Sequence, residues 1–137
     1  MARVNEIRYV GYGVTDLAAE RDFYRDVWGM REVGTHDDMV YFACQGHDEH
    51  HVVRLRAAEE KRIDVIALSA ETRGDVDELH DKVVAAGCTV IFAPQALEAL
   101  GGGYGFRFFS PDGLPFEVSS DVARGPARDV ARHLERQ

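Results

Sequence analysis

Lys and Arg are fewer than Asp and Glu in this sequence. The 137 residues include 16 Lys and Arg against 24 Asp and Glu, which gives a formal net charge of −8 at pH 7. A surface of that sign repels the phosphates of nucleic acids and of anionic lipid headgroups. The composition therefore predicts a protein that binds neither nucleic acid nor a membrane surface.

Cysteines and long apolar segments are also scarce. The two cysteines, Cys44 and Cys88, are far apart in the sequence and lie near apolar residues, so we expect buried free thiols in a reducing compartment. No apolar run approaches the ~20 residues of a membrane-spanning helix, and the polar first residues, MARVNEIR, do not resemble a secretory signal. We therefore predict a cytoplasmic protein.

The strongest local signal is a hairpin near the C-terminal end. Residues 106–109 (FRFF) suit a strand with one buried face, and residues 110–113 (SPDG) combine a proline that fixes φ with a glycine that tolerates positive φ. In the next strand Glu117 stands between Phe116 and Val118, so its side chain points to the opposite face of the sheet. A carboxylate there is costly unless it is hydrated, paired or bound to a metal, and we take that face as the working surface.

The order of predicted elements occurs twice along the chain. A strand, a helix ended by a glycine and three further strands occupy residues 7–56 and again residues 63–119, with Gly29 and Gly87 at equivalent points. The predicted strands are residues 7–14, 31–35, 39–44, 51–56, 63–70 and 88–92 and the two strands of the hairpin; the predicted helices are residues 17–28 and 74–86, with one further helical turn considered at residues 96–100. This order indicates an α+β fold in which two βαβββ modules form one cupped mixed sheet with the helices on the outside.

The two modules together predict one domain at residues 1–121, which is long enough to bury a core of its own. Residues 122–137 are more polar and predict a tail or linker, with a short helix at residues 129–135.

Three stretches resemble a known family. VGYGVTDLAAERDFYRDVWGM (residues 10–30) is similar to the first strand and helix, and FFSPDGLPFEVSSD (residues 108–121) to the last hairpin, of the vicinal oxygen chelate superfamily, which includes glyoxalase I, bleomycin and fosfomycin resistance proteins and extradiol dioxygenases. With GHDEHHVVRL (residues 46–55), they resemble in particular the N-terminal half of two-domain enzymes that cleave dihydroxybiphenyl or related catechols. The resemblance implies the duplicated fold, a homodimer and a catechol-type aromatic substrate.

The resemblance also implies a metal site in the cleft, which extradiol enzymes build from two His and one carboxylate around Fe(II) or Mn(II). The family's ligand positions fall on Tyr9, Arg54, Val65 and Glu117, and of these only Glu117 is a suitable ligand. A single carboxylate does not hold such a metal, and Arg54 would repel a cation and pair with Glu117 instead. The residues at these positions therefore favour a cleft without Fe(II) or Mn(II).

A set of inward-facing side chains is expected to line the cleft. The candidate site residues are Tyr9, His51, Arg54, Val65 and Glu117. His50 and His51 are adjacent at the start of a predicted strand, so their side chains face opposite ways and only one of them faces the cleft. Either Tyr12 or Tyr41 would add an aromatic wall.

Three functions fit these residues. The first is an extradiol-dioxygenase-type enzyme that acts on a catechol-like aromatic. The second is a metal-free module whose cleft binds a small aromatic or anionic molecule, as resistance proteins of the superfamily do. The third is a non-catalytic assembly module, the equivalent of one half of a larger enzyme. The sequence does not decide whether the chain is itself an enzyme.

Overall fold

The computed structural model describes residues 2–124. Within that range, strands and helices follow one another in the predicted order. The strands are β1 (Glu6–Val14), β2 (Arg31–His36), β3 (Met39–Ala43), β4 (Val53–Ala57), β5 (Arg62–Ser69), β6 (Val90–Ala96), β7 (Tyr104–Phe109) and β8 (Pro115–Ser120). The helices are α1 (Leu17–Asp22), which continues into one π-helical turn (Phe23–Val27), and α2 (Arg73–Ala85). Neither described helix is long and apolar enough to cross a membrane.

The described strands form one mixed sheet in the order β2-β3-β4-β1-β5-β8-β7-β6. β1 and β5 pair antiparallel at the centre, while β1 pairs in parallel with β4 and β5 pairs in parallel with β8. If each of β1–β4 is replaced by the equivalent strand of β5–β8, and the reverse, the same order results when it is read from the other edge of the sheet. This symmetry is expected for one unit used twice. The predicted α+β fold, two βαβββ modules in one curled mixed sheet, is therefore confirmed.

The two helices begin at capping side chains that the sequence supplies. The carboxylate of Asp16 accepts a hydrogen bond from the backbone N of Ala19 at 3.0 Å, and the Thr72 hydroxyl accepts one from the backbone N of Asp75 at 3.1 Å. Each helix then packs on its own module. The first cluster consists of Tyr24, Val40, Phe42 and Leu55, and the second of Ala70, Val76, Phe106 and Val118. These apolar contacts occupy one face of the sheet and leave the other face to the site.

The hairpin of β7 and β8 forms as its sequence predicts. Gly113 adopts a φ of 82°, and its backbone N donates to the carbonyl O of Ser110 at 2.8 Å to close the turn. The rings of Phe108 and Phe116 stack with centroids 5.9 Å apart on the helix-covered face. Because side chains alternate along a strand, Glu117 points to the opposite, concave face.

Gly105 lets β7 and β8 approach closely, and its replacement tests this contact. A Cβ at position 105 would lie 2.5 Å from the backbone O of Val118 and 2.8 Å from the Cβ of Ser119. Since neither atom belongs to a flexible side chain, we expect Gly105→Ala to lower the free energy of unfolding by about 1–3 kcal/mol in urea denaturation. Gly74→Ala in α2, where the nearest atom is 3.7 Å away, is the matched control and should be neutral or stabilising. An unchanged free energy of unfolding for Gly105→Ala would contradict the close approach of β7 and β8.

A few local expectations are wrong or fall outside the described range. Cys44 is exposed and Cys88 half-buried, so neither free thiol is buried as expected; Cys44 directly follows β3, where the chain leaves the sheet. Residues 96–100 contain no helical turn, because β6 extends to Ala96. Pro94 is tolerated within β6 because this strand lies at the edge of the sheet. The predicted tail helix at residues 129–135 lies outside the described residues.

Candidate functional site

The strand register brings the four expected ligand positions onto the concave face around the centre of the sheet. The paired positions are Tyr9 with Ala67, Gly11 with Val65, Gly11 with Arg54 and Ala67 with Glu117. This set is unchanged when Tyr9 is exchanged for Val65, Gly11 for Ala67, and Arg54 for Glu117. The duplication therefore makes Tyr9 equivalent to Val65 and Arg54 equivalent to Glu117. All four side chains are buried.

Glu117 is paired with Arg107. Arg107 Nε donates to Glu117 Oε1 at 2.9 Å, and Arg107 Nη2 donates to the Tyr9 hydroxyl at 3.4 Å. The expected pairing of Glu117 with Arg54 is wrong, because β1 and β5 separate β4 from β8, whereas Arg107 lies directly opposite Glu117 on the neighbouring strand. The sequence analysis did not identify Arg107 as a site residue. The signal was present, because a tight turn at residues 110–113 places Arg107 directly across from Glu117.

The Tyr9 hydroxyl is held in its neutral form. Burial is the main cause, and the negative charge of Glu117 adds to it; together they raise the pKa of Tyr9 to about 12. The nearby cations Arg54 and Arg107 act in the opposite direction but do not overcome burial. A phenol with this pKa donates or accepts hydrogen bonds near neutral pH, but it does not act as a base there.

His51 is the histidine that faces the cleft. Its ring lies 4.4 Å from that of Tyr9 and 4.7 Å from that of Tyr41, measured between centroids, and its Nδ1 is 2.9 Å from the Nδ1 of His50. Burial, followed by the charges of its neighbours, lowers the pKa of His51 to about 3. The side chain is therefore neutral at neutral pH. Tyr41 provides the aromatic wall, whereas Tyr12 packs in the helix-covered cluster.

Arg54 is buried beside Tyr9, and none of residues 2–124 pairs with it as an anion. Its guanidinium Cζ lies 5.8 Å from the centroid of the Tyr9 ring. Within residues 2–124 the guanidinium forms no hydrogen bond or ion pair, and its buried Nε has no partner. Gly11 makes room for it, since a Cβ at that position would lie 3.0 Å from Arg54 Nη2.

A loop of the second module covers the cleft. The cavity has a volume of about 200 Å³, and its floor includes Tyr41, Arg54, Arg107 and Glu117. Residues 97–99 of the loop between β6 and β7 line its other side. The Leu100 side chain reaches the first module, where it lies 3.0 Å from the site of a Cβ on Gly34. The cover therefore depends on contacts between the two modules.

A second ion cluster lies where the chain leaves the sheet, with Arg8 and Glu49 buried and Arg124 exposed. Arg124 Nη1 donates to Glu49 Oε1 at 3.1 Å, and Arg8 Nε lies 3.8 Å from Glu49 Oε2. Burial raises the pKa of Glu49, and the two arginines oppose that effect. No local sequence pattern predicts this cluster, because its members are distant along the chain and only the fold brings them together.

These residues do not fit the metal site that the resemblance implies. Of the side chains at the four ligand positions only Glu117 is a suitable ligand, and Arg107 already occupies one of its oxygens. In the described part of the chain, no three His, Cys, Asp or Glu side chains lie close enough together to hold a metal ion.

Comparison with known proteins identifies the family of this chain. The Glyoxalase/Bleomycin resistance protein/Dioxygenase superfamily matches residues 6–118. A manganese-dependent 2,3-dihydroxybiphenyl 1,2-dioxygenase of Geobacillus genomosp. 3 is 32% identical over 105 residues, which are 77% of this chain and 33% of that protein. A biphenyl-2,3-diol 1,2-dioxygenase of Paraburkholderia xenovorans is 28% identical over 130 residues, which are 90% and 42% of the two chains.

A solved structure is more similar still. The Mn(II)-bound glyoxalase from Novosphingobium aromaticivorans superposes with a TM-score of 0.91 and 63% sequence identity, over 96% of this chain and 44% of that one. The chain thus spans less than half the length of each of these three relatives. The matched range, the duplicated modules and the concave face between them lead to one conclusion: the chain belongs to the Glyoxalase/Bleomycin resistance protein/Dioxygenase superfamily.

Proposed function

We propose that the chain is one domain of a dioxygenase-type enzyme that acts on an aromatic diol, and that the catalytic metal is bound outside the cleft described above. The observation that carries this proposal is the occupancy of the four ligand positions by Tyr9, Arg54, Val65 and a Glu117 that is paired with Arg107. The dioxygenase relatives support the type of substrate, because their names specify dihydroxybiphenyl.

The length of the relatives supports the second part of the proposal. Each named relative is more than twice as long as the stretch that matches this chain, and two of them are described as manganese-dependent or Mn(II)-bound. A domain that keeps the fold without the ligands can serve such an enzyme by packing against a metal-bearing domain. In this proposal residues 1–121 form the domain and residues 122–137 form the linker.

A metal assay tests the proposal directly. The purified chain is incubated without oxygen with Mn(II) or Fe(II), desalted and analysed for bound metal, and ring cleavage of 2,3-dihydroxybiphenyl is followed by absorbance. We expect substantially less than one metal per chain and no cleavage. A stoichiometry near one, together with cleavage by the chain alone, would overturn the proposal.

The double variant Tyr9→His/Val65→His provides the positive control for that assay. It places two imidazoles beside Glu117, the donor set that suits Fe(II) or Mn(II) in extradiol enzymes. We expect this variant to retain more Mn(II) than the unaltered chain, provided that its circular dichroism spectrum shows a folded protein. A folded variant that retains no metal would show that the cleft lacks the geometry of a ligand-bearing relative.

We also propose that the chain forms a homodimer in the cytoplasm. Exposed Ile91 on edge strand β6 and exposed Phe109 and Leu114 near the hairpin support association through apolar surface. The two free cysteines support a reducing compartment. Light scattering coupled to size-exclusion chromatography measures the assembly, and a monomer at high concentration would contradict it.

A further inference from the structure

Within residues 2–124 no side chain forms an ion pair or hydrogen bond with Arg54 in the cleft. The residue is only 4% exposed, and a guanidinium does not lose its proton at any pH that a protein tolerates. A buried charge is normally paired and hydrogen-bonded, since burial without a partner carries a large desolvation cost. Arg54 Nε nevertheless has no partner within the described residues. Such an orphaned group calls for a ligand that the protein itself does not supply.

The floor of the cleft carries one excess positive charge. Arg107 and Glu117 neutralise each other through their hydrogen-bonded pair, whereas Arg54 adds a second guanidinium. The hydroxyl of Tyr9 and the imidazole of His51 are neutral neighbours at neutral pH.

The other acidic side chains near the cleft do not supply the missing counter-charge. Asp37 lies at the mouth, where its Oδ2 is 3.3 Å from His36 Nε2, and Glu98 is exposed on the covering loop. The charge of Arg54 is one of the causes that lower the pKa of Asp64 on β5, after the hydrogen bonds and charge of Arg56. The Asp64 carboxylate nevertheless accepts its hydrogen bonds from Arg56, from Nε at 2.7 Å and from Nη2 at 2.9 Å, and forms none with Arg54. These acids are either solvated or paired with other cations.

We propose that the cleft binds a small organic monoanion whose carboxylate pairs with the guanidinium of Arg54. A guanidinium binds a carboxylate through two parallel N–H donors, which fixes the orientation of the ligand. The cavity of about 200 Å³ has room for roughly six or seven water molecules at about 30 Å³ each, so the ligand is compact. Tyr41, Phe92 and Met39 in the lining favour an acid with an apolar or aromatic body. This inference goes beyond the proposed function and does not depend on it.

Calorimetric titration at constant ionic strength tests the proposal with three probes. Benzoate carries the carboxylate and a ring, acetate carries the carboxylate alone, and benzamide is a neutral analogue of benzoate. We expect the unaltered chain to bind benzoate, with or without weaker binding of acetate, and not to bind benzamide measurably. Binding of benzoate but not of acetate would indicate that the ligand is an aromatic acid. Equal affinities for benzoate and acetate would indicate that the cleft binds small carboxylates in general. Benzamide binding equal to that of benzoate, or no binding of either anion, would overturn the proposal.

Arginine variants assign the binding to the proposed residue. Arg54→Met keeps much of the chain length and removes the charge, and it should weaken benzoate binding by roughly ten- to a hundredfold. Arg56→Met is the matched control on the same strand, because Arg56 already has Asp64 as its partner; its benzoate affinity should stay within about threefold of the original, since it leaves Arg54 in place. Benzoate binding by Arg54→Met at the original affinity would overturn the proposal.

The stability of the variants gives an independent readout. Removing an uncompensated buried charge should leave the melting temperature of ligand-free Arg54→Met equal to or above that of the unaltered chain. Arg54→Lys retains the charge but not the fork of donors, and it should bind benzoate with intermediate affinity even if Arg54→Met folds poorly. Failure of Arg54→Lys to bind benzoate better than Arg54→Met would show that the charge is not what holds the anion.

Discussion

Replacing Glu117 by Gln is expected to cost about 3 kcal/mol of folding free energy, or roughly 10 °C in melting temperature. Glutamine keeps the shape of the side chain but leaves Arg107 without an anion in a mostly buried site, where its side chain is only 22% exposed. Removing one partner of a buried pair is more costly than removing both, because the remaining charge stays desolvated. Thermal and urea denaturation measure the loss.

Glu32→Gln is the matched control for this prediction. Glu32 also forms a two-bonded pair, with Arg21 Nε and Nη2 each 2.6 Å from a carboxylate oxygen, but the cation that would remain, Arg21, has a side chain that is 39% exposed. Water solvates the remaining charge there, so the melting temperature should be nearly unchanged. Equal losses for Glu117→Gln and Glu32→Gln would contradict the view that burial, rather than hydrogen bonding alone, makes the Glu117 pair important.

The Glu117 variant also connects stability with the proposed anion. Without the carboxylate, the cleft would hold two guanidiniums with no counter-charge of their own. We therefore expect benzoate to raise the melting temperature of Glu117→Gln by more than it raises that of the unaltered chain. An equal or smaller rise would count against an anion in this cleft.

Protonation of His51 is expected to weaken the fold as the pH falls. Its pKa is about 3 in the folded protein against 6.5 as its ordinary value, so the unfolded chain binds the proton more readily. The stability that the neutral ring provides is complete above pH 6.5 and is lost as the pH falls from 6.5 toward 3. Each pH unit below 6.5 lowers the free energy of unfolding by about 1.4 kcal/mol, so the loss of stability between pH 6.5 and 5 is about 2 kcal/mol.

His51→Phe tests this prediction, because phenylalanine keeps a ring between Tyr9 and Tyr41 and does not titrate. The free energy of unfolding in urea, measured from pH 7 to 5, should fall less steeply for this variant than for the unaltered chain. The slope is the informative quantity, since the variant also loses the contact with His50 at all pH values. His50, whose pKa burial also lowers, continues to contribute a smaller slope. The variant His36→Asn, at the end of β2, should retain the original slope because it leaves His51 in place. Identical slopes for His51→Phe and the unaltered chain would contradict the prediction.

Local sequence signals predicted most of the elements and the position of one site residue. Asp16 and Thr72 start the two helices because their side chains cap nearby backbone amides. Gly113 closes the hairpin by adopting a positive φ. The alternation of side chains along β8 then predicted that the Glu117 carboxylate lies on the concave face. Each of these outcomes depends on residues within a few positions of one another, where the geometry of the chain leaves few alternatives.

The lack of a partner for Arg54 within residues 2–124 was not predictable in the same way. The expected Arg54–Glu117 pair joined the two equivalent positions of the duplication, but two strands lie between them. Arg107 pairs with Glu117, and Arg54 has no partner within residues 2–124. The hairpin of β7 and β8 is local and places Arg107 opposite Glu117. The separation of Arg54 from Glu117 depends instead on the strand order across the sheet, and no local pattern contains that order.

The sequence by itself determined the duplicated βαβββ units, their helix caps and the inward direction of Glu117, because propensity, capping and strand alternation act over short stretches of chain. Only the tertiary structure decided that His51 lies between two tyrosines and that Arg54 is buried without a partner among residues 2–124. Those features arise where strands distant in sequence meet, and burial at those meeting points sets the cost and the chemistry of each polar group.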